Sequence, residues 1–335
     1  MQDQIFSARG DFKMPQFKCD APFDPAYGYQ FDELLRISPP DPAADFEDFW
    51  RQSHAEARKI APQPVISRRI GHDATHFMHE IRYRALGGVV IAGWLAIPRL
   101  EKPRSAFVIG HGYGGRHSAS GAEVPRRDAV AIFPCLRGLT RSPIHGTFKS
   151  SSFEHVIWGI HSRETYVHGG NAADLWGAAS VILTLFPETV GRIVYMGVSF
   201  GGGIGTLMLP WDDRFRAAWV EVPSFGNHPL RVKMPCWGSG RAIRDHWLKN
   251  PDVLKVLQYF DSAVAARFLD KPLGVMAALY DPSVPPPGQF SVFNATPSKK
   301  KLCVTSAGHY TYPMEAAERH LTNEFRDRFL ADVLA

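Results

Sequence analysis

The sequence predicts an α/β fold in which a mostly parallel central sheet is flanked by helices, preceded by an N-terminal arm and interrupted by one inserted segment. Three observations carry this. Short apolar runs alternate with helix-like stretches from residue 106 onward, the grammar of βαβ units. The 335 residues, 45% hydrophobic and 21% charged, can bury a sizeable core. No repeat of solenoid period and no Gly/Ser-rich linker divides the chain, so one domain, residues 42–335, is expected after an arm of residues 1–41.

The arm is rich in Pro, Asp and aromatics and is expected to be irregular and to wrap the body. Asp41 is placed to cap a helix whose first turn suits Pro42, and Phe46, Phe49 and Trp50 fall on one face before Lys59. Alternation through Phe77, His79, Ile81 and Tyr83, a Gly87-Gly88 turn, and an apolar run over 89–97 predict an antiparallel hairpin. Strands follow at 106–109, 129–133, 193–196, 217–222, 273–279 and 301–305, with helices at 172–186 and 313–334. Between Tyr113 and the Val130 strand the chain is short, and Pro125 interrupts a helix. Residues 223–261 hold Pro229, Pro235, Pro251, Trp237 and Trp247 between two strands, an insertion that serves as a cap or a subunit interface.

Charge excludes little and suggests no charged partner. The 38 Lys+Arg against 33 Asp+Glu give +5, but the cations (Arg68, Arg69, Arg126, Arg127, Lys299, Lys300 and Lys301 among them) form no long run, so a nucleic-acid groove is not expected. Cys19, Cys135, Cys236 and Cys303 are far apart with no CxxC pair, which fits reduced thiols in a cytoplasmic protein better than a zinc site or a disulfide framework. The start Met-Gln-Asp-Gln-Ile-Phe lacks the basic residue and apolar run of a signal peptide. The uncharged stretch 193–211 contains five glycines and Pro210, so it is not a membrane span. His72 and His76 straddle a loop-to-strand transition without a His-Glu-x-x-His helix, so they are expected at the surface, with no metal and no cofactor implied.

Chemistry concentrates at Gly197-Val198-Ser199-Phe200-Gly201, between a β-run and a small-residue stretch that opens a helix. A serine nucleophile needs such a sharp strand-to-helix turn, with small residues two before and two after it. A phosphate loop would need a Gly-Lys that does not follow. The α/β-hydrolase order Ser, acid, His places the acid after a later strand and the histidine after the last one. Asp281 and His309 occupy those positions, His309 to accept the Ser199 proton and Asp281 to fix its tautomer. The oxyanion needs two backbone N–H donors: Phe200 after the nucleophile, and Tyr113 in the His111-Gly112-Tyr113-Gly114-Gly115 loop.

These landmarks resemble the acetyl xylan esterase and cephalosporin C deacetylase group of α/β-hydrolases. The similarity runs from Asp45 to Leu330 through the early helix (Asp-Phe-x-x-Phe-Trp), His111-Gly112-Tyr113, Arg137-Gly138, Glu164-Thr165-Tyr166, the 197–203 turn, Tyr259-Phe260-Asp261 and the segment from Asp281 to Pro286. It implies the Ser199, Asp281, His309 triad, the Tyr113 and Phe200 oxyanion hole, Arg137 and Gly138 at the active-site wall, and removal of acetyl groups from sugars or related alcohols. It also implies a homo-oligomer with inward-facing sites. Three departures stand out: Leu139 and Phe200 where the family has Gln, and Tyr310 where it has Glu, which together make the expected surroundings more apolar. The expected activity is a serine carboxylesterase that removes acetyl or short acyl groups from small esters. A peptidase, a lactone hydrolase and an idle hydrolase-fold binding protein are the alternatives, since a triad does not set the leaving group.

Overall fold

The apolar runs pair into one ten-stranded sheet in a computed structural model that describes residues 4–18, 20–100, 102–144 and 151–335; Cys19 lies outside the described residues. In chain order the strands are β1 (Ile5–Ser7), β2 (Val65–His72), β3 (His76–Arg84), β4 (Val90–Pro98), β5 (Ser105–Ile109), β6 (Ala129–Pro134), β7 (Ile193–Val198), β8 (Phe215–Glu221), β9 (Leu273–Tyr280) and β10 (Lys300–Ala307). Their spatial order is β1-β10-β9-β8-β7-β5-β6-β4-β3-β2. Pairing is parallel from β1 through β6 and antiparallel across β4, β3 and β2. β5, β6 and β9 are buried along their whole length, which is why they read as continuous apolar runs rather than alternating ones.

Two cores lie on the two faces of the sheet. On one, the helices Phe46–Arg58, Val167–Leu185, Phe200–Met208 and Pro286–Ala295 enclose Phe46, Trp50, Trp176, Tyr195 and Phe200. The two tryptophans also satisfy their indole N–H groups, Trp50 on the Tyr259 carbonyl (2.8 Å) and Trp176 on the Met208 carbonyl (3.1 Å). On the other face, the helix Glu315–Leu334 packs Phe325 and Phe329 on Trp219, in a core that also holds Phe107 and Phe133. No helix among the described residues is long and apolar enough to cross a membrane.

The structure departs from the sequence-based expectations in several places. The first long helix begins at Phe46 rather than Asp41: Asp45 takes the N-cap position, and the exposed Asp41 carboxylate pairs with Arg267 (3.1 Å). The arm is not wholly irregular: β1 joins the sheet edge against β10, and Phe31–Leu34 forms a helical turn. His76 is not a surface residue; it is fully buried, with Nε2 2.9 Å from the Ala129 carbonyl. Between β5 and β6 the described chain forms only the 3-10 turn Gly121–Glu123, in keeping with Pro125. Residues 223–261 fold into short helices, of which Gly238–Lys249 is the longest, and Trp237 N–H donates to the Pro282 carbonyl (2.7 Å) beside Asp281.

Candidate active site

Ser199 sits at the junction of β7 and the helix Phe200–Met208 with φ 54° and ψ −112°. A non-glycine residue there costs about 1–3 kcal/mol, a strain that persists only where the surroundings enforce it. Here the Ser199 N–H donates to the Glu221 carbonyl (2.8 Å), while its carbonyl accepts from Gly203 and Ser224 (both 3.0 Å). The flanking glycines are steric requirements. A Cβ on Gly201 would stand 2.8 Å from the His111 carbonyl oxygen, and one on Gly197 would stand 2.7 Å from the Gly201 carbonyl.

The structure brings the three predicted side chains together. His309, just past β10, places Nε2 3.0 Å from Ser199 Oγ and Nδ1 2.8 Å from Asp281 Oδ2. Nδ1–H therefore donates to the carboxylate and leaves the Nε2 lone pair facing the serine hydroxyl. Asp281, fully buried after β9, accepts on Oδ1 from the Ser283 and Val284 amides (2.8 and 2.9 Å) and on Oδ2 from Gln289 Nε2 (3.0 Å) as well as His309. Burial by itself lowers the His309 pKa, but the charge and hydrogen bond of Asp281 outweigh it and hold the group above its ordinary 6.5.

On the other side of Ser199, Gly112 packs against it, with the position of a Gly112 Cβ only 3.8 Å from Ser199 Cβ. Gly112 precedes Tyr113 in the chain, and Phe200 is the first residue of the helix, where a backbone N–H has no intrahelical partner. The loop is fixed by His111, whose Nδ1–H donates to the Gly112 carbonyl (2.8 Å) and whose Nε2 accepts from Leu136 N–H (3.0 Å). Burial pushes the His111 pKa down to about 4, so the ring is neutral. The Tyr113 ring stacks on Phe200 (4.1 Å between centroids), and its hydroxyl lies 3.1 Å from His168 Nε2 and 3.2 Å from His155 Nδ1.

Arg137 does not reach the serine. It makes a buried two-point ion pair with Asp174 (2.7 and 3.0 Å), and its carbonyl accepts from His155 Nε2 (3.0 Å), so it supports the Tyr113 loop from behind. Gly138, at φ 79°, permits the turn that follows. The three departures also find places. Leu139 and Phe200 are 1% and 0% exposed, so they alter packing and leave the wall facing a substrate no more apolar, contrary to expectation. Tyr310 anchors the arm: its hydroxyl donates to the Lys18 carbonyl (2.6 Å), and Phe17 packs among Tyr280, Tyr310 and Tyr312.

Sequence reasoning missed the arm's place at the site, where Asp281 N–H donates to the Pro25 carbonyl (3.1 Å) and Tyr27 O–H to the Pro235 carbonyl (2.8 Å). It also missed Gln289 and the ring of Phe225, which stands over the helix after Ser199. The run of positive φ at Val222, Phe225 and Asn227 concentrates strain beside Ser199, a signal visible only in the backbone.

Comparison with known proteins gives consistent results. The family described as acetyl xylan esterase (AXE1) matches residues 30–325. The acetyl xylan esterase from Paenibacillus sp. R4 superposes with a TM-score of 0.78 at 19% identity, over 89% of this chain and 99% of that one. Acetyl xylan esterase 1 from Thermoanaerobacterium sp. JW/SL YS485 gives 0.78 at 19% identity, over 93% and 100%. An acylaminoacyl peptidase from Pyrococcus horikoshii gives 0.56 at 18%, over 76% of this chain and 42% of that one. Identities this low speak for the shared fold. No curated protein matches.

Proposed function

The chain belongs to the acetyl xylan esterase family and is a serine carboxylic ester hydrolase, and from that premise we propose that Ser199, His309 and Asp281 form its catalytic triad and that it removes acetyl or other short acyl groups from small alcohols or sugars. The observation that carries this is the continuous relay from Asp281 Oδ2 through His309 to Ser199 Oγ, at 2.8 and 3.0 Å. His309 Nε2 takes the hydroxyl proton as Ser199 Oγ attacks the ester carbonyl. The Tyr113 and Phe200 amides receive the oxyanion. His309 returns the proton to the departing alcohol, which leaves an acyl-Ser199; water then attacks by the same route and releases the acid. Each turnover consumes one ester and one water.

Gln289 and the Ser283 and Val284 amides hold the Asp281 carboxylate in one orientation, which in turn fixes the ring of His309. We further propose a homo-oligomer, which the family resemblance supports and which light scattering at the 37.3 kDa monomer mass would remove. A cytoplasmic location is supported by the buried, unpaired thiols of Cys135, Cys236 and Cys303.

The test is the initial rate on 4-nitrophenyl acetate, butyrate and octanoate, with Ser199→Ala as control and an aminoacyl anilide for comparison. Acetate-preferring turnover is expected, reduced at least about 10⁴-fold in Ser199→Ala. Wild-type rates in that variant would end the triad assignment, and preference for the anilide would replace the esterase reading with a peptidase.

A further inference from the structure

Glu318 is a carboxylate that the proposed triad does not use, 3% exposed near the start of the helix Glu315–Leu334. Both of its oxygens are occupied. Oε2 accepts from the Ser306 amide (2.7 Å) and the Tyr312 hydroxyl (2.8 Å), and Oε1 accepts from the Ser306 hydroxyl (2.5 Å). The nearby guanidinium groups are committed elsewhere. Arg319 pairs with Glu221 (2.6 Å), and Arg9, which lines a cavity of about 650 Å³ together with Glu318, Ser306 and Tyr312, pairs with Asp11 (2.9 Å). A buried carboxylate without a cation persists where hydrogen bonds satisfy it, and here those bonds come from two residues of one loop.

That loop carries His309. Ser306 stands before the histidine and Tyr312 after it, so a single side chain ties both ends of the segment to the helix. Between the ends the backbone is tight. His309 has φ 47°, a conformation that a non-glycine residue keeps only where its surroundings impose it. The Gly308 amide donates to the Tyr280 carbonyl (2.9 Å), and a Cβ on Gly308 would stand 2.4 Å from Asp281 Oδ2, so the loop already touches the acid. With His309 Nδ1 2.8 Å from Asp281 Oδ2 and Nε2 3.0 Å from Ser199 Oγ, a shift of the loop ends displaces the ring from both partners.

We propose that Glu318 is a positioning residue for the histidine: by fastening Ser306 and Tyr312 to the helix Glu315–Leu334, it holds the His309 ring between Ser199 and Asp281. It acts through the loop and touches neither the substrate nor the reacting atoms. This rests on the Ser199 triad reading.

The experiment measures kcat and KM for 4-nitrophenyl acetate in Glu318→Leu, Glu318→Gln and Tyr312→Phe, each checked for wild-type circular dichroism, together with the downfield proton NMR signal of His309 Nδ1–H at one pH. Leucine accepts nothing and releases both ends of the loop, so kcat should fall at least about tenfold with KM nearly unchanged, and the Nδ1–H signal should move or broaden. Glutamine keeps one acceptor oxygen for the Ser306 amide and Tyr312, and its amide N–H donates to the Ser306 hydroxyl oxygen, so it should restore kcat to within about threefold of wild type. Tyr312→Phe frees one end and should lower kcat about threefold or more and shift the signal. A folded Glu318→Leu that keeps wild-type kcat, or that loses kcat with the signal unmoved, overturns the proposal. So does a Gln variant no better than the Leu variant, which would make the charge rather than the two-ended anchor the active element. Should the Leu variant fail to fold, Tyr312→Phe decides, and wild-type kcat with an unmoved signal there overturns the proposal. Turnover in Ser199→Ala reports separately on the triad: wild-type rates there remove the triad, whereas their loss beside an unimpaired Glu318→Leu removes only the role of Glu318.

Discussion

Gln289 makes three hydrogen bonds beside Asp281, the proposed acid, and one of them reaches its carboxylate. Its Nε2 donates to Asp281 Oδ2 (3.0 Å) and to the Val284 carbonyl (2.6 Å), and its Oε1 accepts from the Ala278 amide (2.9 Å), all in a fully buried setting. Gln289→Leu fills similar space but orphans the Ala278 N–H, at a cost of about 1–3 kcal/mol. A merely structural residue would stop there. If Gln289 positions Asp281, kcat for 4-nitrophenyl acetate also falls about tenfold. The pH profile shifts with it. With neutral His309 as the proposed base, kcat/KM rises with pH through its pKa, and in wild type that acid limb lies above 6.5 because Asp281 favours the imidazolium. Loosening the carboxylate moves the limb toward 6.5, and Asp281→Asn moves it at least as far while cutting kcat. A pH–rate profile unmoved in both variants would contradict the coupling.

At the scale of elements, the arm is a wall of the site held by a few aromatic groups. Phe17 lies 5.1 Å from the Tyr280 ring and 5.5 Å from Tyr312, and Tyr310 secures the backbone at Lys18. Phe17→Ala together with Tyr310→Phe removes both anchors while leaving the sheet intact. Trypsin should then cut after Lys13 and Lys18 at least about tenfold faster, since local opening governs cleavage of a tethered segment. Equal cleavage rates, followed by mass spectrometry, would show that other bonds hold the arm. This dependence on tertiary partners explains what the sequence could not disclose. β5, β6, β7 and β9 were legible because burial on both faces leaves unbroken apolar runs, and Ser199, Asp281 and His309 because strand ends fix where such groups can stand. β2 was not, because Val65, Ile66 and Ile70 are exposed on an edge strand and nothing forces an alternating pattern on it. Gln289 was silent for a different reason: what matters about it is which groups it meets, and only the fold decides that.

At the scale of the whole molecule, burial around the Tyr113 loop makes the protein sensitive to acid. Burial lowers His111 and His155 to about 4 and His228 to about 3, and lowers His168 as well. The unfolded chain protonates each near 6.5, the folded one only far below, so between 6.5 and about 4 the unfolded state binds more protons and stability falls as pH falls. Two carboxyls work the other way. Burial raises Asp261 to about 6 and raises Asp174, so the folded state protonates them first and gains stability on acidification. The His309 contribution, from a raised pKa, is already complete below 6.5 and adds no slope there. The lowered histidines outnumber the raised carboxyls, so near pH 5 the unfolded chain binds the larger number of protons and acid destabilises the fold. Reversible unfolding in urea at pH 7, 6 and 5 should therefore show a midpoint that drops progressively, and His228→Gln should flatten the slope by about one proton. A midpoint that holds or rises between pH 7 and 5 would mean that these imidazoles reach protons in the native state, and that the packing around Tyr113 is looser than the stacked rings indicate.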